Sequence, residues 1–314
     1  MARILILGAT GKQGSATIQA LLVSGQKHSL RALVRNASSE KAKALVAQGV
    51  EVLEGGDWDK DVASLEKATA GMEVVFFISN PSFTDNEAEV RSATNIVDAA
   101  KRAGTVNHVV YSTVAGIEYY KELPDLESSP FFLNYWTSKA KGEELVRKGG
   151  FAHYTLLRPV EFMSNWTSSQ MAYFQFPDLV KTGVWHTAFP ESYVLSEVAP
   201  DDIGQVAAAA IDAPATFAGG PTRELQITGE LLTVRDLIAQ LGEAAGKTLS
   251  IHTYTEDEAR AAVAENPLVA GQLSRLKLKG LSKPADDFGL GFSTFRDHLA
   301  AHAEEVKELY KNVS

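Results

Sequence analysis

Two rhythms of apolar residues alternate along the first half of the chain. Short runs of branched apolar residues stand at Arg3–Leu7, Leu30–Val34, Val50–Leu53, Glu73–Ser79, Asn107–Ser112 and Tyr154–Arg158. In Val74-Val75-Phe76-Phe77-Ile78 every position is apolar. A half-exposed antiparallel strand would alternate, so unbroken runs predict strands of a parallel sheet covered on both faces. Between the runs lie longer segments with helical spacing, Lys12–Ser24, Ser39–Gln48, Asn86–Ala103 and Tyr135–Lys148. In Asn86–Ala103, Ile96, Val97, Ala99, Ala100 and Ala103 make one apolar stripe. Strand and helix repeated in this order imply right-handed crossovers and a doubly wound parallel α/β sheet.

The second half loses this rhythm. Phe162–Gly183 is rich in aromatics and amides. Pro200–Pro214 predicts a helix opened by Asp201-Asp202. Leu225–Thr228 and Leu249–Thr253 read as isolated strands, and Phe292–Lys311 as a terminal helix. Residues 255–290 are mixed, with turn signals at Asn266-Pro267 and Lys283-Pro284. No internal repeat or low-complexity linker is visible. The expected organisation is a parallel-sheet domain over residues 1–160 and a smaller C-terminal α/β lobe over residues 161–314. About 192–235 of the second part is expected to return to the first sheet.

Composition narrows the classes of function. With 314 residues, 45% of them hydrophobic and 22% charged, the chain has the make-up of a folded protein, not a disordered one. The absence of cysteine excludes disulfides, cysteine-based zinc or iron–sulfur sites and a thiol nucleophile. A net charge of −9 argues against nucleic acid or anionic membrane as a direct partner. The apolar run Ile4–Leu7 is too short for a signal-peptide core, and no stretch approaches the ~18 apolar residues of a membrane helix. The reading is a soluble intracellular protein, cytoplasmic and also compatible with the nucleus.

The strongest motif is Gly8-Ala9-Thr10-Gly11-Lys12-Gln13-Gly14, placed between the first strand and the first helix. The first glycine permits a tight turn, the second a close backbone approach to a pyrophosphate, and the third close helix–strand packing. The phosphates would then meet the N–H groups and positive dipole end of the helix. This is the Rossmann arrangement, in the spacing of the extended short-chain dehydrogenases. The second strand ends in Arg35-Asn36, with no carboxylate until Glu40. A basic residue there pairs with a 2′-phosphate and favours NADP over NAD. Asp57, after Gly55-Gly56, stands where such folds place an acid near the adenine amine.

These features resemble the NmrA-like family of atypical short-chain dehydrogenase/reductase proteins. The likeness is carried by Gly8–Gly14, the Arg35 turn, Gly56-Asp57, Phe76-Phe77-Ile78-Ser79-Asn80 and His108-Val109-Val110-Tyr111-Ser112. Lys139 with Glu143, and Leu157-Arg158-Pro159 leading to Phe162 and Asn165, extend it. The resemblance implies that Gly8, Thr10, Gly11, Lys12 and Gln13 hold the pyrophosphate of NADP(H), with Gly14 closing the motif. Arg35 and Asn36 would hold the 2′-phosphate, and Asp57 and Trp58 would border the adenine. Ser79 and Asn80 would line the ribose side. Lys139 would reach the nicotinamide ribose, and Glu161, Phe162 and Ser164 would pass beside the nicotinamide. The family includes NADP-sensing regulators as well as quinone, aldehyde and phenylcoumaran-type reductases.

Tyr135 and Lys139 form a Y-x-x-x-K pair, four residues apart on one helix face. In a short-chain dehydrogenase the tyrosine exchanges a proton with the substrate oxygen, and the lysine binds ribose and favours the phenolate. Thr113, or Ser112 beside it, would orient the substrate carbonyl. Phe162 and Trp166 are the expected walls of an apolar substrate pocket in the second lobe. His298, His302 and Glu305 have a spacing that can bind metal but read as a solvated helix face, and no metal is expected. The chain lacks a G-x-S-x-G elbow and the G-K-[ST] ending of a nucleotide-hydrolysing loop. The expectation is an NADPH-dependent oxidoreductase of a small carbonyl or quinone. The alternative is a non-catalytic NADP(H) sensor that regulates a protein partner such as a transcription factor.

Overall fold

The computed structural model describes residues 1–82, 84–123, 129–277 and 288–313. The first six strands are β1 (Arg3–Leu7), β2 (Ser29–Val34), β3 (Glu51–Glu54), β4 (Val74–Ile78), β5 (His108–Ser112) and β6 (His153–Pro159). Each end lies within one residue of the apolar run that predicts it. The reason is burial on both faces: all five residues of β5, and four of five in β1 and β4, are buried. The remaining strands are β7 (Glu161–Phe162), β8 (Val184–Thr187), β9 (Val194–Val198), β10 (Thr222–Ile227), β11 (Glu230–Thr233) and β12 (Ser250–Thr253).

The main sheet runs β10-β6-β5-β4-β1-β2-β3. Every pairing from β3 across to β6 is parallel. The connections are α1 (Lys12–Val23), α2 (Glu40–Ala47), α3 (Val62–Thr69), α4 (Ala88–Ala103) and α5 (Pro130–Arg147). From β1 the chain builds outward through β2 and β3, then returns to place β4 on the other side of β1. That reversal opens a crevice at the C-terminal ends of β1 and β4, the place where open α/β sheets bind ligands. On one face of the sheet Leu5, Leu7, Phe77 and Tyr111 pack with the Ile96, Val97 and Ala100 stripe of α4.

The chain forms two compact units. The first comprises Met1–Ile117, Asn134–Arg158 and Pro200–Gln226, and the second Glu118–Leu133, Pro159–Ala199 and Ile227–Ser314. The segment that returns to the first unit is therefore narrower than the expected 192–235. Residues 192–199 and 227–235 stay in the second unit, because β9 pairs with β7 and β11 and not with the main sheet. The second unit also takes Glu118–Leu133, which no apolar pattern in the sequence marks off from the first.

The second unit has its own core of Trp166, Phe176, Trp185, Phe189, Leu237 and Tyr310. The expected terminal helix is broken at His302 into Phe295–Ala301 and Ala303–Tyr310. His298 turns inward, 7% exposed, with Nε2 3.2 Å from the Thr167 hydroxyl. The Lys283-Pro284 turn lies outside the described residues. Among the described residues no helix is long and apolar enough to cross a membrane.

Candidate active site

The glycine-rich turn does what its spacing requires. Gly8 takes φ +79°, a left-handed conformation that disfavours any side chain. A Cβ on Gly14 would stand 2.3 Å from the Gly8 carbonyl oxygen, so the first turn of α1 rests directly on the turn that follows β1. Gly11 is the N-cap of α1, which has no side-chain cap and no acidic residue in its first turn. The N–H groups and dipole of this helix end are left for an anion. The cradle fits a dinucleotide pyrophosphate: its helix end is uncapped, and a Cβ at Gly11 or Gly14 would stand 3.2 or 2.3 Å from the Gly8 carbonyl oxygen. The Ser112 hydroxyl donates to Gln13 Oε1 at 2.6 Å and ties the end of β5 to this turn.

Beside the turn, Thr10, Val34, Arg35, Asn36, Ser39, Glu40 and Lys41 line a cavity of about 410 Å³. Its wall is made locally. Asn36 Oδ1 accepts from the Ser38 N–H at 2.9 Å and the Ser38 hydroxyl at 2.7 Å, and Ser39 caps α2 by accepting from the Ala42 N–H. Lys41 reaches back to the Thr10 carbonyl at 3.3 Å. Burial, then the Lys41 charge, holds the Lys12 ammonium below its ordinary pKa. The Glu40 carboxylate is paired with Lys43 at 2.7 Å. Lys41 was missed in the sequence; a second cation six residues after Arg35 was its only signal.

Trp58 lies within 3.9 Å of the position a Gly8 Cβ would take, and its indole Nε1 is buried without a hydrogen-bond partner among the described residues. Asp57 is exposed and 3.5 Å from the Lys60 ammonium. Asn80 is exposed just beyond β4.

The ends of β4 and β5 hold a buried polar cluster. Lys139 donates to the Ser79 carbonyl at 2.5 Å and stands 2.7 Å from Glu89 Oε1. The Ser79 hydroxyl donates to the same Glu89 oxygen at 2.7 Å and lies 2.5 Å from the Tyr111 hydroxyl. Burial, then the Glu89 charge, pushes the Tyr111 phenol well above its ordinary pKa. Tyr135 is half-buried on α5, with its ring centroid 5.8 Å from the Lys139 ammonium. Glu89 and Tyr111 were not singled out in the sequence. The signal for Glu89 was a carboxylate on the apolar stripe of α4, at i, i+4 and i+7 with Ala93 and Ile96.

Thr113 departs from expectation. Its hydroxyl donates to Glu143 Oε1 at 2.8 Å, with the Leu157 carbonyl at 3.3 Å. Glu143 is also gripped by Arg158 at 2.9 and 2.7 Å and by Arg147 at 2.6 Å. The single hydroxyl proton is committed to this buried ion network, so Thr113 has none to offer a substrate carbonyl. Ser112 is likewise committed to Gln13.

In the second unit, the Glu161 carboxylate is held by Arg275 at 2.5 Å. Glu161 and Glu230 flank Glu197 in register across β7, β9 and β11. Glu197 is fully buried, and desolvation, then the Glu161 charge, raises its pKa well above the ordinary value. Phe162 is half-buried on β7 and Ser164 is buried. Trp166 is a correction: it is 1% exposed and stacks on Phe176 at 3.9 Å, with Trp185 edge-on at 5.1 Å. It is core of its own unit, because a ring buried to 1% exposure against Phe176 and Trp185 has no free face for a substrate.

The NmrA-like family model matches residues 1–277. The chain belongs to the NmrA-like family. A (4-alkanoyl-5-oxo-2,5-dihydrofuran-3-yl)methyl phosphate reductase of Streptomyces griseus is 30% identical, over 96% of this chain and 98% of its own. An Escherichia coli NADPH-dependent quinone oxidoreductase, solved with NADPH, is 25% identical with a TM-score of 0.70, over 95% of this chain and 99% of that one. NmrA, a negative transcriptional regulator solved with NADP, has a TM-score of 0.67 at 20% identity, over 99% of this chain and 95% of that one. The last likeness is one of fold.

Proposed function

We propose that the protein is an NADP(H)-binding oxidoreductase that reduces a small carbonyl or quinone compound. The observation that carries this reading is the placement of Tyr135 and Lys139 on α5, with the Lys139 ammonium fixed against the Ser79 carbonyl at the end of β4. NADPH, when bound, would supply a hydride to the substrate carbon. The Gly8–Gly14 turn and the uncapped start of α1 would hold its pyrophosphate, and Arg35 with Lys41 its 2′-phosphate.

Lys139 has three N–H bonds, of which two are directed to Ser79 and Glu89. The third is left to donate to a ribose hydroxyl. Tyr135 would donate its phenolic proton to the oxygen of the substrate carbonyl, and solvent would then reprotonate the phenolate. A relative named as a reductase, matched over 98% of its length, supports a small-molecule substrate.

The test is NADPH oxidation with a panel of quinones and carbonyl compounds. Wild-type turnover that falls about 100-fold or more in Tyr135→Phe is the expected result. No turnover across the panel would overturn the enzymatic reading and favour the sensor.

A further inference from the structure

Ser79, Glu89, Tyr111 and Lys139 meet in a buried cluster, with Glu89 2% and Lys139 5% exposed. The hydrogen-bond directions in this cluster are forced. Glu89 accepts from the Ser79 hydroxyl, so the Tyr111 hydroxyl must be the donor to Ser79. Tyr111 stays neutral, since burial and the Glu89 charge both oppose its ionisation. A Cβ on Gly142 would stand 2.6 Å from the Tyr111 hydroxyl oxygen, so α5 leaves room for this chain only by having glycine there. Lys139 is the one cation shown against the Glu89 carboxylate among the described residues, at 2.7 Å.

This pairing changes what Lys139 does to Tyr135. A bare ammonium 5.8 Å from a phenol ring draws the phenol toward phenolate. A carboxylate 2.7 Å from that ammonium opposes its field at the ring. We propose that Glu89 is a positioning residue that neutralises Lys139, so that Lys139 acts as a hydrogen-bond donor of fixed direction and the Tyr135 phenol keeps its proton. The site is thereby set for proton donation, the direction a reductase needs. The inference rests on Tyr135 being the proton donor. Among the described residues, Lys139 of α5 stands 5.8 Å from the Tyr135 ring, Tyr111 of β5 is close enough for the two phenols to influence each other, and Glu89 of α4 stands 2.7 Å from the Lys139 ammonium.

The test is a pH titration of tyrosinate ultraviolet absorbance, in which the difference between the protein and its Tyr135→Phe variant isolates Tyr135. In the Glu89→Gln background the Tyr135 midpoint should fall by about one pH unit or more. The double variant Glu89→Gln/Lys139→Met replaces the buried pair with neutral groups and keeps the fold. Its midpoint should stay within about half a unit of wild type, because a cancelled charge is removed together with its canceller. An unchanged midpoint in Glu89→Gln, or a rise of about one unit in the double variant, would overturn the proposal. The titration needs no turnover, so its outcome is separate from that of the reductase assay. Where turnover is present, the alkaline limb of the kcat profile should move down with the midpoint in Glu89→Gln. A lower rate with an unmoved limb would mark a purely structural role and contradict the proposal.

Discussion

Gly14 rests on the carbonyl of Gly8 so closely that a methyl group at Gly14 would lie 2.3 Å from its oxygen. Neither partner can yield cheaply, since both are backbone at the junction of β1 and α1. Gly14→Ala should push α1 away from the turn, costing about 1–3 kcal/mol of stability and about tenfold or more in NADPH affinity. Fluorescence titration with NADPH and denaturant unfolding check the two effects. Wild-type affinity in this variant would count against the turn as the pyrophosphate site.

Arg35 and Lys41 line one cavity, next to Lys12. Arg35→Ala should weaken NADP(H) about tenfold or more while leaving NAD(H) nearly unchanged, because only the former carries the 2′-phosphate. Lys41→Ala should do the same more weakly. Parallel titrations with both nucleotides decide it, and equal losses for both would remove these residues from the 2′-phosphate site.

Lys139→Ala leaves the Glu89 carboxylate buried beside the Ser79 hydroxyl with no cation among the described residues shown to balance it. Loss of one partner of a buried pair costs about 3–5 kcal/mol, against much less when both are replaced by neutral groups. Urea unfolding should therefore show Lys139→Ala as less stable than the double variant Glu89→Gln/Lys139→Met. The reverse order would mean that the pair is solvated.

The sequence revealed the main sheet because its strands are buried on both faces and so read as unbroken apolar runs. It concealed β9, where Ser196 and Glu197 are buried inside a strand and interrupt the apolar pattern. It concealed α3, whose Val62, Leu65 and Ala68 span only two turns. The glycine turn was legible because backbone proximity restricts the residue type. Glu89 was not, because a charged residue in a helix is normally solvated and only its place on the apolar stripe marked it as buried. Trp166 was misread because aromatic density after a strand is shared by pockets and cores, and the stacking partners Phe176 and Trp185 come from later segments.

Two buried groups set opposite pH limits on stability. Burial first, then the Arg223 and His153 charges, pulls His108 down from 6.5 to about 3. The folded protein therefore binds fewer protons there than the unfolded chain. The His108 contribution is complete above pH 6.5 and is lost as pH falls toward 3, at up to about 1.4 kcal/mol per unit. Glu197 is the converse: held neutral by burial and by Glu161, it stabilises below the ordinary value of 4.5 and loses that contribution as pH rises through its raised pKa. Thermal unfolding across pH should show a shallower acid limb in His108→Gln and a shallower alkaline decline in Glu197→Gln. Unaltered limbs would mean that these groups titrate alike in both states.

The central claim is hydride reduction with Tyr135 as proton donor. Its most direct measurement follows deuterium from C4-labelled NADPH into the alcohol product of a carbonyl substrate, in wild type and Tyr135→Phe. Label on the former carbonyl carbon in wild type, formed about 100-fold or more slowly in the variant, is the predicted result. Absence of label from the product, or equal rates in the two proteins, would contradict it.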